Sequence, residues 1–322
     1  MLAALRIVSY LLPITAIVAS IGFFTPTLEK FFKTDYVAEC GDETVFPTTK
    51  ISNSKIDEHL SHYKFIDGIP HWDYEGERGV QANPYQIAFV GATLLQRYCT
   101  TKDQSDFDRA LVMRAWLVDY LKQRIYVGDV PRVEYDFPNP PYTDKPGWGS
   151  AFAQAMLLHF AYRLHPRYSP EDEEILSQAA EAFTLDISEQ GLHSIYHGNV
   201  IWEEVATNKP SLIVNGHIVA IWNLDHAIPY MPSSKLKRKL RKMNASAKAA
   251  VVEFAPRVQL SSTDMLYDLR SLSDNTIHDP PYHRGSYPWN IMVFGYQYLI
   301  DQGYNLKGPL SGLKEMIPVT RK

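Results

Sequence analysis

Two adjacent carboxylates, Glu203 and Glu204, lie in the stretch Ile201 to Gly216 (IWEEVATNKPSLIVNG), between Trp202 and the opening of an apolar helix. In an extended run neighbouring side chains point to opposite faces, so only one of the two acids can look into a cleft while the other braces or is solvated. Pro210, Ser211, Asn215 and Gly216 then open the helix and bring a side-chain amide near the same place. A solvated strand edge is the plain alternative, but a junction of loop and scaffold is where functional residues concentrate. Downstream, Met265 to Arg270 (MLYDLR) and Pro280 to Arg284 (PPYHR) set two tyrosines, Tyr267 and Tyr282, around Arg270. A phenol, with a reference pKa of about 10, is a poor base at neutral pH, yet a guanidinium beside it stabilises the phenolate. Arg270 could equally take a substrate carboxylate in its fork, or pair structurally with Asp268.

Helices must position these groups. From Pro84 an apolar helix (YQIAFVGATLLQRY) precedes an amphipathic one (FDRALVMRAWLVDYLKQ), and a loop with strand character over Ile125 to Tyr135 leads into the proline-rich FPNPPYTDKP. The order recurs with a helix from Trp148, a second marked by Ser169-Pro170-Glu171, and a strand-like return from Gly191 to Val205. It recurs again with SLIVNGHIVAIWNLDHA, a basic helix from Ser233 to Phe254 and a return from Val258 to Leu269; a fourth pass starts at Pro288, with a short helix over Ser311 to Ile317. Helix starts at Pro84, Trp148, Ser211 and Pro288, spaced by about 63 to 77 residues, imply a repeat of helical hairpins. The first helix of each pair is apolar nearly all round, as an inner wall should be, and the second is charged on one face, as an outer wall should be. The expected fold is mainly α, an (α/α) toroid of about four helical hairpins whose short β returns converge over one end, with an α-solenoid as the alternative. Gln86, Gln154, Asn215 and Asn290 fall in the first two turns of inner helices, where amides can both donate to and accept from sugar hydroxyls. Trp148 at the head of an inner helix, His283 beside Tyr282, and Glu203 complete the expected substrate contacts. For each amide the alternative is a buried group satisfied by backbone.

The 322 residues suffice for one sizeable domain, and 45% hydrophobic with 21% charged residues describes a folded chain. A net charge of -4 argues against nucleic acid as partner. The basic run Lys235 to Lys242 reads as the solvated side of a helix or, alternatively, as a patch that steers polyanions. Leu2 to Phe24 is apolar apart from Arg6 and a few small polar residues, which suits a membrane anchor or a cleaved signal with the remainder luminal, periplasmic or extracellular. The expected divisions are residues 1–24 as that segment, 25–79 as stem and irregular or β-containing lead-in, and 80–322 as the catalytic toroid. In such a compartment Cys40 and Cys99 could form a disulfide, and Asn244-Ala245-Ser246 is a glycosylation sequon in a eukaryote. His193 with His197, and His278 with Asp279 and His283, match no metal-ligand pattern; nothing asks for a metal or cofactor.

At these residues the sequence resembles the C-terminal helical domain of heparosan-type D-glucuronyl C5-epimerases. NPYQIA, PGWGSAFAQA, WEEV with PSLIVNG, LYDLR and PYH are similar, in the same order, to that family's PIQIA, PGWYSAMAQG, WYEEY with PSSFVLNG, IYDLR and DYH. The resemblance implies an (α/α) barrel and assigns proton transfer to Glu204, Tyr267 and Tyr282. Val205 stands where the family has a tyrosine, and Ser286-Tyr287-Pro288-Trp289 replaces a His-Ile-Asn-Gln run. The family's N-terminal β domains, which help hold polymer and dimer, are largely missing; a homodimer remains among the assemblies open to this chain.

The chemistry expected is abstraction of the C5 proton of a uronate in an acidic polysaccharide once its carboxylate is neutralised, then return of a proton to the opposite face. Glu204 and Tyr282 would stand on opposite faces, with Tyr267 steadying the carboxylate or sharing a proton, which is base and which acid being open. A polysaccharide lyase shares the carbanion. A toroid glycoside hydrolase would need a second carboxylate, Glu134 or Asp268. A membrane-tethered glycan-binding protein would need no chemistry.

Overall fold

The structure, a computed structural model, describes residues 36–38, 40, 53–126, 131–140, 142–166, 170–261, 264–274, 279–284 and 286–306. The apolar N-terminal segment, the helix expected at Ser311 to Ile317 and His278 lie outside them. Among the described residues no helix is long and apolar enough to cross a membrane.

The fold is mainly helical. The lead-in contributes helix α1 (Asn53–Leu60) and an antiparallel sheet of β2 (Lys64–Ile66), β3 (Ile69–Asp73) and β4 (Val80–Ala82), while the short β1 (Tyr36–Ala38) pairs with β7 (Leu164–Pro166). The Cys40–Cys99 disulfide is formed and ties the lead-in to the end of α2 (Pro84–Thr101). Then come α3 (Gln104–Tyr126), hairpin β5 (Glu134–Tyr135) with β6 (Trp148–Gly149), α4 (Ala151–Arg163) and α5 (Pro170–Glu181). Hairpin β8 (His193–Tyr196) with β9 (Asn199–Trp202) precedes α6 (Val214–Ala227) and α7 (Ser234–Val258). Strand β10 (Asp264–Met265), the short α8 (Arg270–Asp274), β11 (Tyr282–His283) and α9 (Tyr287–Asp301) close the order, with β10 and β11 paired.

Helix starts follow from local sequence. Asn83 accepts from the backbone N–H of Tyr85 and Gln86, with Pro84 in the first turn where its missing N–H costs nothing. Ser150, Ser233 and Ser286 cap α4, α7 and α9 in the same way. Nearly every residue of α4 and α6 is buried, and these two make the most extensive helix contact in the molecule. α2 packs on α4 and α9 on α6, giving an inner row α2, α4, α6, α9 backed by α3, α5 and α7. Packing of that extent between α9 and α2 is not found among the described residues, which therefore form an arc of inner helices.

One sequence expectation changes here, and another is met. Asn244 of the sequon is buried in α7, accepting from Trp202 Nε1 (2.8 Å) and donating to the Ile221 carbonyl (3.0 Å) and Asp225 (2.8 Å), so no glycan can be attached there in the folded chain. The basic run is the outer face of α7: Lys235, Arg238, Lys239, Arg241 and Lys242 are exposed while Leu236 and Leu240 face inward.

The returns are joined to one another over the starts of the inner helices. Gly149 and Ala206 exchange backbone hydrogen bonds of 2.9 and 2.7 Å, and Ala151 N–H donates to Glu203 O. Val214 N–H donates to Tyr267 O (3.1 Å) and Leu269 N–H to Leu212 O (3.0 Å), which fixes the LYDLR segment against the start of α6.

Candidate active site

The two acids lie just past the end of β9 and part from each other, as the extended run predicted. Glu203 is fully buried and spends its oxygens on the protein: Ser194 Oγ donates to Oε1, and Oε2 accepts from Ser211 N–H (2.8 Å), Ser211 Oγ (2.6 Å) and Leu212 N–H (2.9 Å). It thereby pins the turn in which Leu212 adopts a left-handed φ of 55° just before α6. The expected substrate contact at Glu203 is thus replaced by a brace.

Glu204 faces the other way, toward the first turn of α6. That helix has no side-chain cap of its own, and the Gly216 N–H in its first turn bonds instead to the Glu204 carboxylate. An anion at a helix N-terminus is favoured, but burial dominates and lifts the carboxyl to about 7. Its Oε2 is shielded from solvent and has no hydrogen-bond partner, although the residue as a whole is only partly buried. The approach requires glycine, since a Cβ on Gly216 would lie 2.2 Å from that oxygen.

Tyr267 and Tyr282 meet at this carboxylate. Their rings are 4.7 Å apart and tilted by 55°, and their hydroxyls share a hydrogen bond. Tyr282 OH also donates to Asn215 Oδ1 (2.7 Å). Both phenols are held well above the ordinary range, first by burial, with the Glu204 charge adding to each. They are therefore proton donors at neutral pH, contrary to the expectation that Arg270 would stabilise a phenolate. Arg270 is occupied: its guanidinium binds Asp268 at 2.8 and 3.3 Å, reaches Asp279 at 3.6 Å and lies 4.3 Å over the ring of Tyr142. Tyr142 in turn stacks on Tyr267 and donates to Asp279 (2.6 Å) and Asp268 (3.2 Å).

The remaining expected contacts divide. Asn215 is at the centre. Trp148 stacks on Tyr135 at 4.2 Å and donates through Nε1 to Phe137 O, and Tyr135 is close enough to Glu204 for that charge to raise its phenol further, after burial. Gln154 is a strut, fully buried, accepting from Val133 N–H and donating to the carbonyls of Pro131 and Ala179. Gln86 accepts from Tyr63. His283 follows Tyr282 on β11, so alternation turns it to the opposite, exposed face, where it pairs with Asp264. Asn290 is exposed and has no side-chain contact with the cluster among the described residues.

Gly216 entered the sequence reading only as part of a helix start and Asp279 only in a histidine cluster that matches no metal pattern, while Tyr135 and Tyr142 were not singled out. A glycine one residue after Asn215 at a helix start was the available signal for the first; Tyr142, a tyrosine in a proline-rich return as Tyr282 is, was the signal for another.

Residues 130–286, which span the carboxylate, both phenols and Tyr142, match the family model of the D-glucuronyl C5-epimerase C-terminus. The matched stretch belongs to the D-glucuronyl C5-epimerase family. That family implies a carbohydrate epimerase, an isomerase. The match takes in just under half of the chain and leaves out the lead-in and α2. No curated protein matches the chain.

Proposed function

We propose that the protein is a uronic-acid C5-epimerase acting on a glucuronate-containing, heparosan-like polysaccharide. The observation that carries this reading is the Glu204 carboxyl, with its pKa of about 7 and unpartnered Oε2, beside the paired phenols of Tyr267 and Tyr282. A base titrating near neutrality balances ionised fraction against basicity. Glu204 removes the C5 proton and the electron pair of that C–H bond flows into the adjacent carboxylate. One phenol hydrogen-bonds the resulting enediolate while the other, Tyr282 by its bond to Asn215, returns a proton to the opposite face of C5. The proton that Glu204 has taken up then replaces, by way of Tyr267, the one given up by Tyr282, so that carboxylate and phenols return to their starting states.

A glycoside hydrolase is disfavoured because the partner acids are spent: Glu203 is enclosed by donors, Glu134 pairs with Arg132, and Asp268 with Arg270. The reading also takes the arc of inner helices as the wall of an (α/α) toroid, supported by the alternation of inner and outer helices. It places the chain on the luminal, periplasmic or extracellular side of a membrane, supported by the apolar stretch Leu2 to Phe24 and the disulfide.

Incubating the full chain with a glucuronate polymer in D2O and following C5 by NMR tests the proposal. Deuterium at C5 with chain length preserved is expected. Unsaturated short products would make it a lyase, saturated ones a hydrolase, and binding without exchange a glycan-binding protein.

A further inference from the structure

Arg270 is already shared between Asp268 and Asp279. A second cation stands nearby on the lead-in. Arg78 makes no ion pair among the described residues, and its guanidinium lies 5.3 Å over the ring of Phe137. A guanidinium stacked on a ring keeps its N–H fork for a planar anion. Phe137 belongs to a run of rings: Tyr74 is 5.0 Å from it on one side and Tyr135 5.4 Å on the other, with Trp148 stacked behind Tyr135. Tyr74, Arg78 and Phe137 are half-buried, whereas Tyr135 and Trp148 are buried, so the rings lead from a solvent-facing rim inward to the neighbourhood of Glu204.

The rim is fixed in place. Asn83, while capping α2, donates to Tyr74 OH and accepts from Tyr135 OH (3.1 Å), which ties the lead-in turn to the wall of the site. Within that turn Glu75, Gly76 and Gly79 all have φ between 56° and 58°, and a Cβ on either glycine would meet nothing within 4 Å. The glycines serve the backbone course, not packing. A non-glycine residue held at such a φ is strained, and strain of this kind clusters in ligand-holding segments.

We propose that Tyr74, Phe137 and Arg78 form a second sugar subsite, which takes a neighbouring uronate of the polymer against its rings and binds that sugar's carboxylate with Arg78. The identity of the polymer rests on the epimerase reading; the subsite does not depend on turnover. Two of its three residues lie outside the family match, so this grip on the substrate comes from the lead-in of this chain.

The test measures binding of the full chain to a glucuronate polymer and to the same polymer with its carboxylates reduced to alcohols, alongside C5 exchange kinetics. Wild type should prefer the acidic form, and Arg78→Gln should lose about tenfold in affinity for it, the size of one charge-assisted hydrogen bond, with no loss for the reduced form. In exchange the same substitution should raise KM by a similar factor and leave kcat within twofold; Arg78→Lys, which keeps charge but not the fork, should fall between. Equal affinity of wild type for the two polymers, an unchanged Arg78→Gln, or a loss confined to kcat would each overturn the subsite. Absence of C5 exchange with Arg78-dependent binding intact would overturn the epimerase reading and leave the subsite standing.

Discussion

A single methyl group at Gly216 probes the site most directly. An added Cβ would lie 2.2 Å from Glu204 Oε2, 2.5 Å from Glu204 Cβ and 2.8 Å from Cδ. Rotation of the carboxylate relieves the first contact. It cannot relieve the second, because a Cβ moves only with its backbone, so the end of β9 and the start of α6 must part by several tenths of an ångström in a close-packed interior. Overpacking of this kind costs about 1–3 kcal/mol, and replacing glycine by alanine in a helix returns about 1 kcal/mol. The expected net loss of stability is about 0–2 kcal/mol, which a domain of this size survives. Catalysis has no such offset: the carboxylate loses the Gly216 N–H and its alignment with C5, and a displacement of about 1 Å costs about 100-fold. Gly216→Ala should therefore unfold in urea close to wild type while C5 deuterium exchange at saturating polymer falls about 100-fold. A folded variant exchanging within threefold of wild type would refute the assignment of Glu204 as the base.

The carboxyl of Glu204, raised to about 7 by burial, binds its proton more tightly folded than unfolded; stability from this group is therefore full below pH 4.5 and falls as the pH rises toward 7, by about 3 kcal/mol in all. Urea unfolding from pH 4 to 8 should show that decline in wild type and a shallower one in Glu204→Gln, while the exchange rate of wild type climbs through pH 7; a rate that falls there would make Glu204 the acid. Glu203→Ala should lower stability by about 3 kcal/mol in denaturant melts, since it leaves the Ser211 and Leu212 N–H groups buried without an acceptor. Expressed in glycosylating cells, the chain should carry no sugar at Asn244 by peptide mass mapping; occupancy there would mean that α7 does not pack as described.

What the sequence made legible was set by periodicity. The apolar helices announced themselves because burial on nearly all sides leaves no polar face to confuse the pattern. Strand alternation dictated that Glu203 and Glu204 part company, and they do. Sequence could not choose which acid is the brace, because that depends on donors from Ser194 and from the 211–212 turn, eight or nine residues away along the chain but adjacent in space. The same holds for the amides: Gln154 and Asn215 occupy comparable helix positions, and only the carbonyls that surround one and the phenol that reaches the other distinguish strut from site. Arg270 was legible as a cation but not as a bound one, since Asp279 and Tyr142 arrive from other returns.

The engagement of Arg270 bears on how a uronate could be accommodated. In the proposed reaction a carboxylate brought beside Glu204 meets Asp268 and Asp279 with the Arg270 guanidinium already shared between them, so Arg270 is not what neutralises it. Hydrogen-bond donation remains, and here the direction of the tyrosine shifts matters: burial and the nearby acid keep Tyr267 and Tyr282 protonated across the physiological range. Donors held in a desolvated site bind developing negative charge more strongly than they would in water, and they do so without reorganising. The acids that raise the phenols are thus part of the same device as the phenols, because lowering those pKa values would remove the protons the enediolate needs. In the proposed subsite, electrostatic repulsion of the substrate is offset away from the reacting carbon by Arg78, which makes no ion pair among the described residues and so would act on the polymer without disturbing the proton balance at C5.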